Sequence, residues 1–173
     1  LCVIDAFEKI TIGLPKNSET REQAVLELVA YHEAGHTVMV KLFNEFFDLR
    51  KVTITSNQNG AGGYTLFTPK ERYSTYPTKK FMLANLIIAL GGRAAEVILY
   101  RKEKDSNCNY SDEILFPGVD DLQITTGASN DLKQANSIAR RYVSLFGLGK
   151  HIGLYDGNDN SQPFLGRDLT SGK

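Results

Sequence analysis

The chain has 173 residues, 42% of them hydrophobic and 23% charged, enough for one domain with a substantial core and typical of an ordinary globular protein. Its 20 Lys and Arg balance 20 Asp and Glu, so no basic surplus points to nucleic acid. Cys2 and Cys108 make neither a metal motif nor a disulfide framework, and the most apolar run, Phe81 to Leu90, is far shorter than the roughly 20 residues of a membrane-spanning helix.

Residues 1–17 read as a lead-in, with Val3, Ile4, Phe7, Ile10 and Ile12 available to pack and Gly13-Leu14-Pro15 breaking the pattern. Ser18 and Thr20 are candidate N-caps, Thr20 with Gln23 three residues on resembling a capping box. Val25, Leu28, Val29, His32, His36, Val40 and Phe43 then recur at helical spacing and predict a long helix from Glu19 to Asn44. Arg50 to Ser56 alternates and is β-branched, which predicts a strand. Asn57 to Gly63 is turn chemistry, and Gly63 to Thr68 predicts a second strand ended by Pro69.

Thr78 to Tyr100 predicts a second helix, buried through Phe81, Leu83, Leu86, Ile87, Leu90, Ala94, Val97 and Ile98. Gly91-Gly92 in its middle is costly, which calls for either the close approach of another helix or a kink. Arg101 to Thr126 is a long polar connection, expected to be exposed. A third helix opens in Gly127-Ala128-Ser129-Asn130-Asp131 with Ser129 or Asn130 as cap, carries an apolar stripe from Leu132 to Phe146, and stops at Gly147. The remainder, Leu148 to Lys173, is turn-rich. The expected fold is mainly α with a small β-sheet, the first long helix being central.

The chemistry concentrates on that first helix. His32-Glu33-Ala34-Gly35-His36 is H-E-x-x-H, and four residues are about one helical turn, so both imidazoles leave one face at the spacing that grips a metal ion. Zinc is the expected ion, one per domain. A catalytic zinc takes three protein ligands and keeps one position for water, and Glu33 on the same turn is the natural general base for amide hydrolysis. The third ligand lies elsewhere: His151, the only other histidine, sits in a loop after a helix stop, and the carboxylates Glu96 and Asp131 are both candidates that spacing does not separate. A strand near such a site can hold a peptide by adding it as a further strand, and a plain structural hairpin is the equal alternative. In a different class, the fragment would be a non-catalytic scaffold or substrate-binding module with a structural zinc, His151 being the first candidate for a fourth ligand.

Five blocks occur in order: Phe7-Glu8-Lys9-Ile10, His32 to His36, Gly-Gly-Arg-Ala-Ala-Glu at 91–96, Thr-Thr-Gly-Ala-Ser-Asn-Asp-Leu at 125–132, and Phe164-Leu165-Gly166-Arg167. Together they resemble the peptidase domain of the FtsH family of membrane-anchored AAA proteases over nearly the whole chain. The resemblance implies a helical zinc-peptidase domain with Asp131 as third ligand and Glu96 in a supporting role. It also implies a substrate-aligning strand at Gly62 to Phe67, with Gly63, Tyr64, Thr65 and Leu66 as the binding residues.

For the parent protein it implies an ATP-driven homo-hexamer acting on unfolded or membrane polypeptides. The location it implies is a mitochondrial or plastid membrane, with the bacterial inner membrane as alternative. On this reading residues 1–17 lead in from an ATPase module and 18–173 form the peptidase domain without the family's C-terminal helices. ATP would serve only the absent module, since no G-x-x-x-x-G-K-[ST] occurs, and the fragment itself would be soluble and monomeric. The 101–126 connection is longer than the family's usual one.

Overall fold

A computed structural model of the chain describes residues 20–58, 60–100 and 124–149, together with 6, 10 and 13–16. The expectations for Cys2, Phe7 to Lys9, Ser18, Cys108, His151, the connection over 101–123 and Phe164 to Arg167 lie outside these residues. The described elements are α1 (Gln23–Leu42), β1 (Phe47–Thr53), β2 (Tyr64–Pro69), a short α2 (Glu71–Thr75), α3 (Lys79–Leu99) and α4 (Ser129–Arg140), which continues as a π-helical turn over Arg141–Leu145. The fold is mostly helical with one two-stranded antiparallel sheet, as the sequence predicts.

Helices α1 and α3 form the centre, with α4 packed on α3 and the sheet on α1. The two central helices run antiparallel: Val40 and Phe46 belong to the same cluster as Phe81, and Gly35 faces Gly91. The core lies at the end where α1 finishes and α3 begins, built from Val40, Phe46, Phe47, Tyr73, Phe81, Met82, Ala84, Ile88 and Ile138. Phe81 stacks on Phe47 at 4.8 Å, and Phe46 meets Tyr73 edge-on at 4.8 Å, geometries that aromatic quadrupoles favour. Thr78 caps α3 by accepting a hydrogen bond from Phe81 N at 3.2 Å. Gly147, at φ +60°, ends the last helix, with Leu148 N donating to Tyr142 O at 3.0 Å.

The structure corrects several sequence expectations. Helix α1 begins at Gln23 with Glu22 as cap and no side-chain cap bond, so Thr20 is not its N-cap. In place of a cap, Arg21 turns outward from the helix and donates to Gly62 O at 2.7 Å and Ile54 O at 2.6 Å, fixing the loop between the strands. Strand β1 starts three residues before Arg50, because buried Phe47 and half-buried Leu49 pack on the core and a bulge at Arg50 breaks the alternation visible in the sequence.

Helix α4 is capped by the fully buried Ala128, with Ser129 and Asn130 already helical. On α3, Leu83, Ile87, Leu90 and Ile98 are exposed, and the buried face is Phe81, Met82, Ala84, Ile88, Ala89, Gly91, Gly92, Ala95, Glu96 and Val97. The helix is apolar nearly all round, so periodicity did not fix its phase; the small residues, which let α1 approach, did. The apolar character also continues past Leu90 through Ala94 and Ala95. By length and composition α3 is therefore long and apolar enough to cross a membrane, with a mean hydropathy of 1.6, whereas here it is the helix between α1 and α4.

Candidate metal centre

At the other end of the α1–α3 pair the helices meet backbone to backbone. A methyl group on Gly35 would collide with the carbonyl of Gly91, and one on Gly91 would sit 2.9 Å from Gly35 O. The sequence asked for either close approach or a kink at Gly91-Gly92, and close approach is what occurs. Gly92 lies directly under the histidines: a methyl there would be 2.5 Å from Nε2 of both His32 and His36.

That proximity lets α3 orient both imidazoles from behind. His36 Nδ1 lies 2.7 Å from the Ile88 carbonyl oxygen, which only accepts, so Nδ1 carries the proton and Nε2 keeps its lone pair. His32 Nδ1 lies 2.9 Å from Oε1 of Glu96, a carboxylate only 1% exposed. Glu96 is held in turn by Arg93, whose Nη1 donates to Oε2 at 3.2 Å and whose Nη2 donates to Thr125 O at 2.8 Å. Arg93 thereby ties Glu96 to the segment that enters α4. Sequence reasoning did not single out Arg93 or Thr125; their signal was their place inside the Gly-Gly-Arg-Ala-Ala-Glu and Thr-Thr-Gly-Ala-Ser-Asn-Asp blocks.

Asp131 arrives from the first turn of α4, where the helix dipole favours a carboxylate. Its Oδ2 is 3.1 Å from His32 Nε2 and 3.6 Å from His36 Nε2, and the two nitrogens are 3.1 Å apart. Three lone-pair atoms this close repel one another unless a proton or a cation stands among them. A tetrahedral zinc with ligands at about 2.0–2.1 Å separates those ligands by about 3.3 Å, so the observed triangle fits one face of such a sphere. Among the described residues His32, His36 and Asp131 are the group that can hold a metal ion. Glu96 is on the opposite side of the His32 ring.

Charge and burial set the proton affinities here. Burial alone would lower the His32 pKa, but the hydrogen bonds to Asp131 and Glu96 outweigh it and raise the value. Burial would raise Asp131, yet the hydrogen bond with His32 and the closeness of the His36 ring hold its carboxyl well below the usual range. Glu33 is raised, because burial exceeds the opposing hydrogen bond from Thr65 and the nearby histidines.

Glu33, 6% exposed, lines the same cleft of about 610 Å³ as the three metal-binding candidates. The cleft's other wall is the glycine-rich loop and β2: Gly63, Tyr64 and Thr65 line it, and Leu66 does not. Asn57 pins that loop, its Oδ1 accepting from Ala61 N at 2.9 Å.

The sequence profile of peptidase family M41 matches residues 19–173. The protein named ATP-dependent zinc metalloprotease FtsH in Ruminiclostridium cellulolyticum is 36% identical over 170 residues, 98% of this chain and 24% of that protein. Its namesake in Mycoplasmopsis pulmonis is 37% identical over 169 residues, 97% of this chain and 20% of that protein. ATP-dependent zinc metalloprotease FTSH 1, chloroplastic, of Oryza sativa subsp. japonica is 33% identical over 174 residues, 99% of this chain and 22% of that protein. The chain thus spans about a quarter or less of the length of these curated relatives.

Proposed function

The chain belongs to peptidase family M41, a family of peptide-bond hydrolases whose relatives here are zinc metalloproteases, and from that premise we propose that it is the catalytic domain of an ATP-dependent endopeptidase. His32, His36 and Asp131 hold the zinc, Glu33 is the general base, and Glu96 orients His32 without binding metal. The observation that carries this reading is the donor triangle of 3.1, 3.1 and 3.6 Å beside a buried glutamate in one cleft.

Zinc held by these residues would supply Lewis acidity, lowering the pKa of a water to about 7 and polarising the scissile carbonyl. Glu33 takes the proton of the attacking water on a carboxylate oxygen and delivers it to the departing amine. Its raised pKa suits both halves of that task, since a carboxylate closer to neutrality returns the proton more readily. Glu96 accepts from His32 Nδ1, which leaves Nε2 free and makes the imidazole more basic toward the metal. Among the described residues strand β2 is paired with β1 on one side only, and an extended substrate adds along its other side, contacting Gly63, Tyr64, Thr65 and Leu66.

The relatives' names give ATP dependence and zinc, and the rest of the assembly is proposed from the family resemblance. On that resemblance we place this domain, together with an ATPase module preceding residue 18, in a homo-hexameric, membrane-anchored protease acting on unfolded or membrane polypeptides. The membrane is mitochondrial or plastid, with the bacterial inner membrane as the alternative that cell fractionation distinguishes. The test of the chemistry is Glu33→Gln, expected to keep one zinc per chain and the native circular dichroism while losing hydrolysis of an unstructured peptide by about 10³-fold or more. Full activity in that variant would remove the general base and leave a structural zinc as the better account.

A further inference from the structure

Glu33 is buried on a helix, and a carboxylate that must receive and return a proton has to present one particular oxygen to the reacting water. Within α1 the Glu33 carbonyl accepts from Thr37 Oγ1 at 2.8 Å. The carboxylate is held from outside the helix. Thr65 Oγ1 lies 2.7 Å from Glu33 Oε2 and 3.2 Å from Glu33 O. A hydroxyl has one proton, and the shorter, charge-assisted partner takes it, the carbonyl being already served by Thr37. Gly63, two residues earlier on the same chain segment, runs close beside the stem of the side chain: a methyl there would be 3.1 Å from Glu33 Cγ.

From this we infer that Thr65 is a positioning residue for the general base, its hydroxyl engaging Glu33 Oε2 so that Oε1 alone faces the water. The inference rests on the assignment of Glu33 as general base. It gives the side chain of Thr65 a task separate from any contact its backbone makes with substrate. Thr65 and Phe67 point to one face of β2 and Tyr64 and Leu66 to the other, so the hydroxyl reaches Glu33 from the face packed on α1 while the strand's edge remains for a peptide. Only a hydrogen-bonding residue small enough to lie between strand and helix can do this, which admits Thr or Ser and excludes Val.

The experiment compares Thr65→Val, Thr65→Ser and Thr65→Ala in the zinc-loaded, full-length protein, with an internally quenched unstructured peptide as substrate. Valine keeps the shape and the strand preference of threonine, so Thr65→Val is expected to retain the fold and one zinc per chain. Its kcat should fall by about tenfold with KM changed by less than about twofold, and Thr65→Ser should recover most of kcat. Thr65→Ala serves if the valine variant does not fold.

In the Glu33→Gln background the Thr65→Val change should have no further effect, because it acts through the missing base. An unchanged kcat in folded Thr65→Val, a loss equally large in Thr65→Ser, a change carried by KM, or loss of zinc would each overturn the inference. Activity surviving in Glu33→Gln alone would instead overturn the base assignment, so the two failures are told apart.

Discussion

The α1–α3 pair is closed by two different physical means at its two ends. Where α1 finishes, Phe46, Phe47, Tyr73 and Phe81 fill the space between elements with aromatic rings, and stability there comes from area removed from water, about 25 cal/mol per Å². Where α1 passes α3 at Gly35, Gly91 and Gly92, no side chain separates the backbones, and the buried groups beside them are Glu33, His36 and Glu96. The first end tolerates loss of a methyl group at a modest cost. The second end leaves no room for one more, and each buried polar atom there depends on its partner. The aromatic end holds the helices together so that the glycine end can hold three candidate metal-binding atoms within 3.6 Å of one another.

The sharpest way to break that contrast is to add one methyl at one end and remove a ring at the other. Gly92→Ala puts a methyl 2.5 Å from both Nε2 atoms, so the histidines and α3 cannot keep their places together. Loss of stoichiometric zinc by elemental analysis, and with it essentially all peptide hydrolysis, is the expected result. Phe81→Ala should cost about 3–5 kcal/mol of unfolding free energy in denaturant titration. Its zinc affinity, measured at a temperature where it remains folded, should stay close to that of the parent. Normal zinc content in Gly92→Ala would mean that the close approach is not what shapes the metal centre.

A smaller effect is expected at Glu96. Removing its charge in Glu96→Gln leaves His32, His36 and Asp131 in place but weakens the bond to His32 Nδ1 and the tie to Arg93. Partners of this kind are worth about 10–100-fold in metal affinity, so a chelator competition should show a weakened but present site. Asp131→Ala should lose the zinc outright. The reverse pattern would make Glu96 the metal ligand and Asp131 the supporting group.

Much of this division was legible in the sequence, and unevenly. The periodicity of α1 and the Gly-Asp-bearing start of α4 were plain, as was the need for a second hairpin strand before Pro69. The identity of the third candidate metal ligand was not: with His151 set aside as a loop histidine, Glu96 and Asp131 were equivalent by spacing, because no periodic pattern relates α1 to α4 through the 86 residues between Leu42 and Ser129. What brought Asp131 forward was the resemblance carried by its block. The phase of α3 was misjudged because Leu83, Ile87 and Leu90 look like core residues, whereas Gly91, Gly92 and Ala95 decide which face α1 can approach. Thr65 was legible as a strand residue and, through the resemblance, a substrate contact, but not as a partner of Glu33, which is 32 positions away.

The gentlest test uses pH alone. In the metal-free protein His32 has a pKa raised above the ordinary 6.5: burial opposes the proton, but the hydrogen bonds to Asp131 and Glu96 outweigh burial. A raised histidine contributes stability that is fully present below 6.5 and is lost as pH rises through the folded value. Asp131 has the opposite sign, its contribution being present above 3.8 and lost only as pH falls through its depressed folded value. Between those limits the carboxylate stays charged while the proton on His32 competes with zinc.

Zinc affinity should therefore weaken by about tenfold per pH unit below the raised His32 pKa, beginning above 6.5. Asp131 should add a second loss only in strong acid. The core residues that close the aromatic end include no carboxylate, histidine or lysine, so denaturation of the zinc-free Phe81→Ala variant should report the same His32 midpoint as the parent. Proton-coupled zinc titrations from pH 5 to pH 8, a range chosen to bracket the ordinary histidine value of about 6.5, measure the slope directly. A flat affinity down to pH 5 would mean that His32 carries no such proton and is held by something other than Asp131 and Glu96.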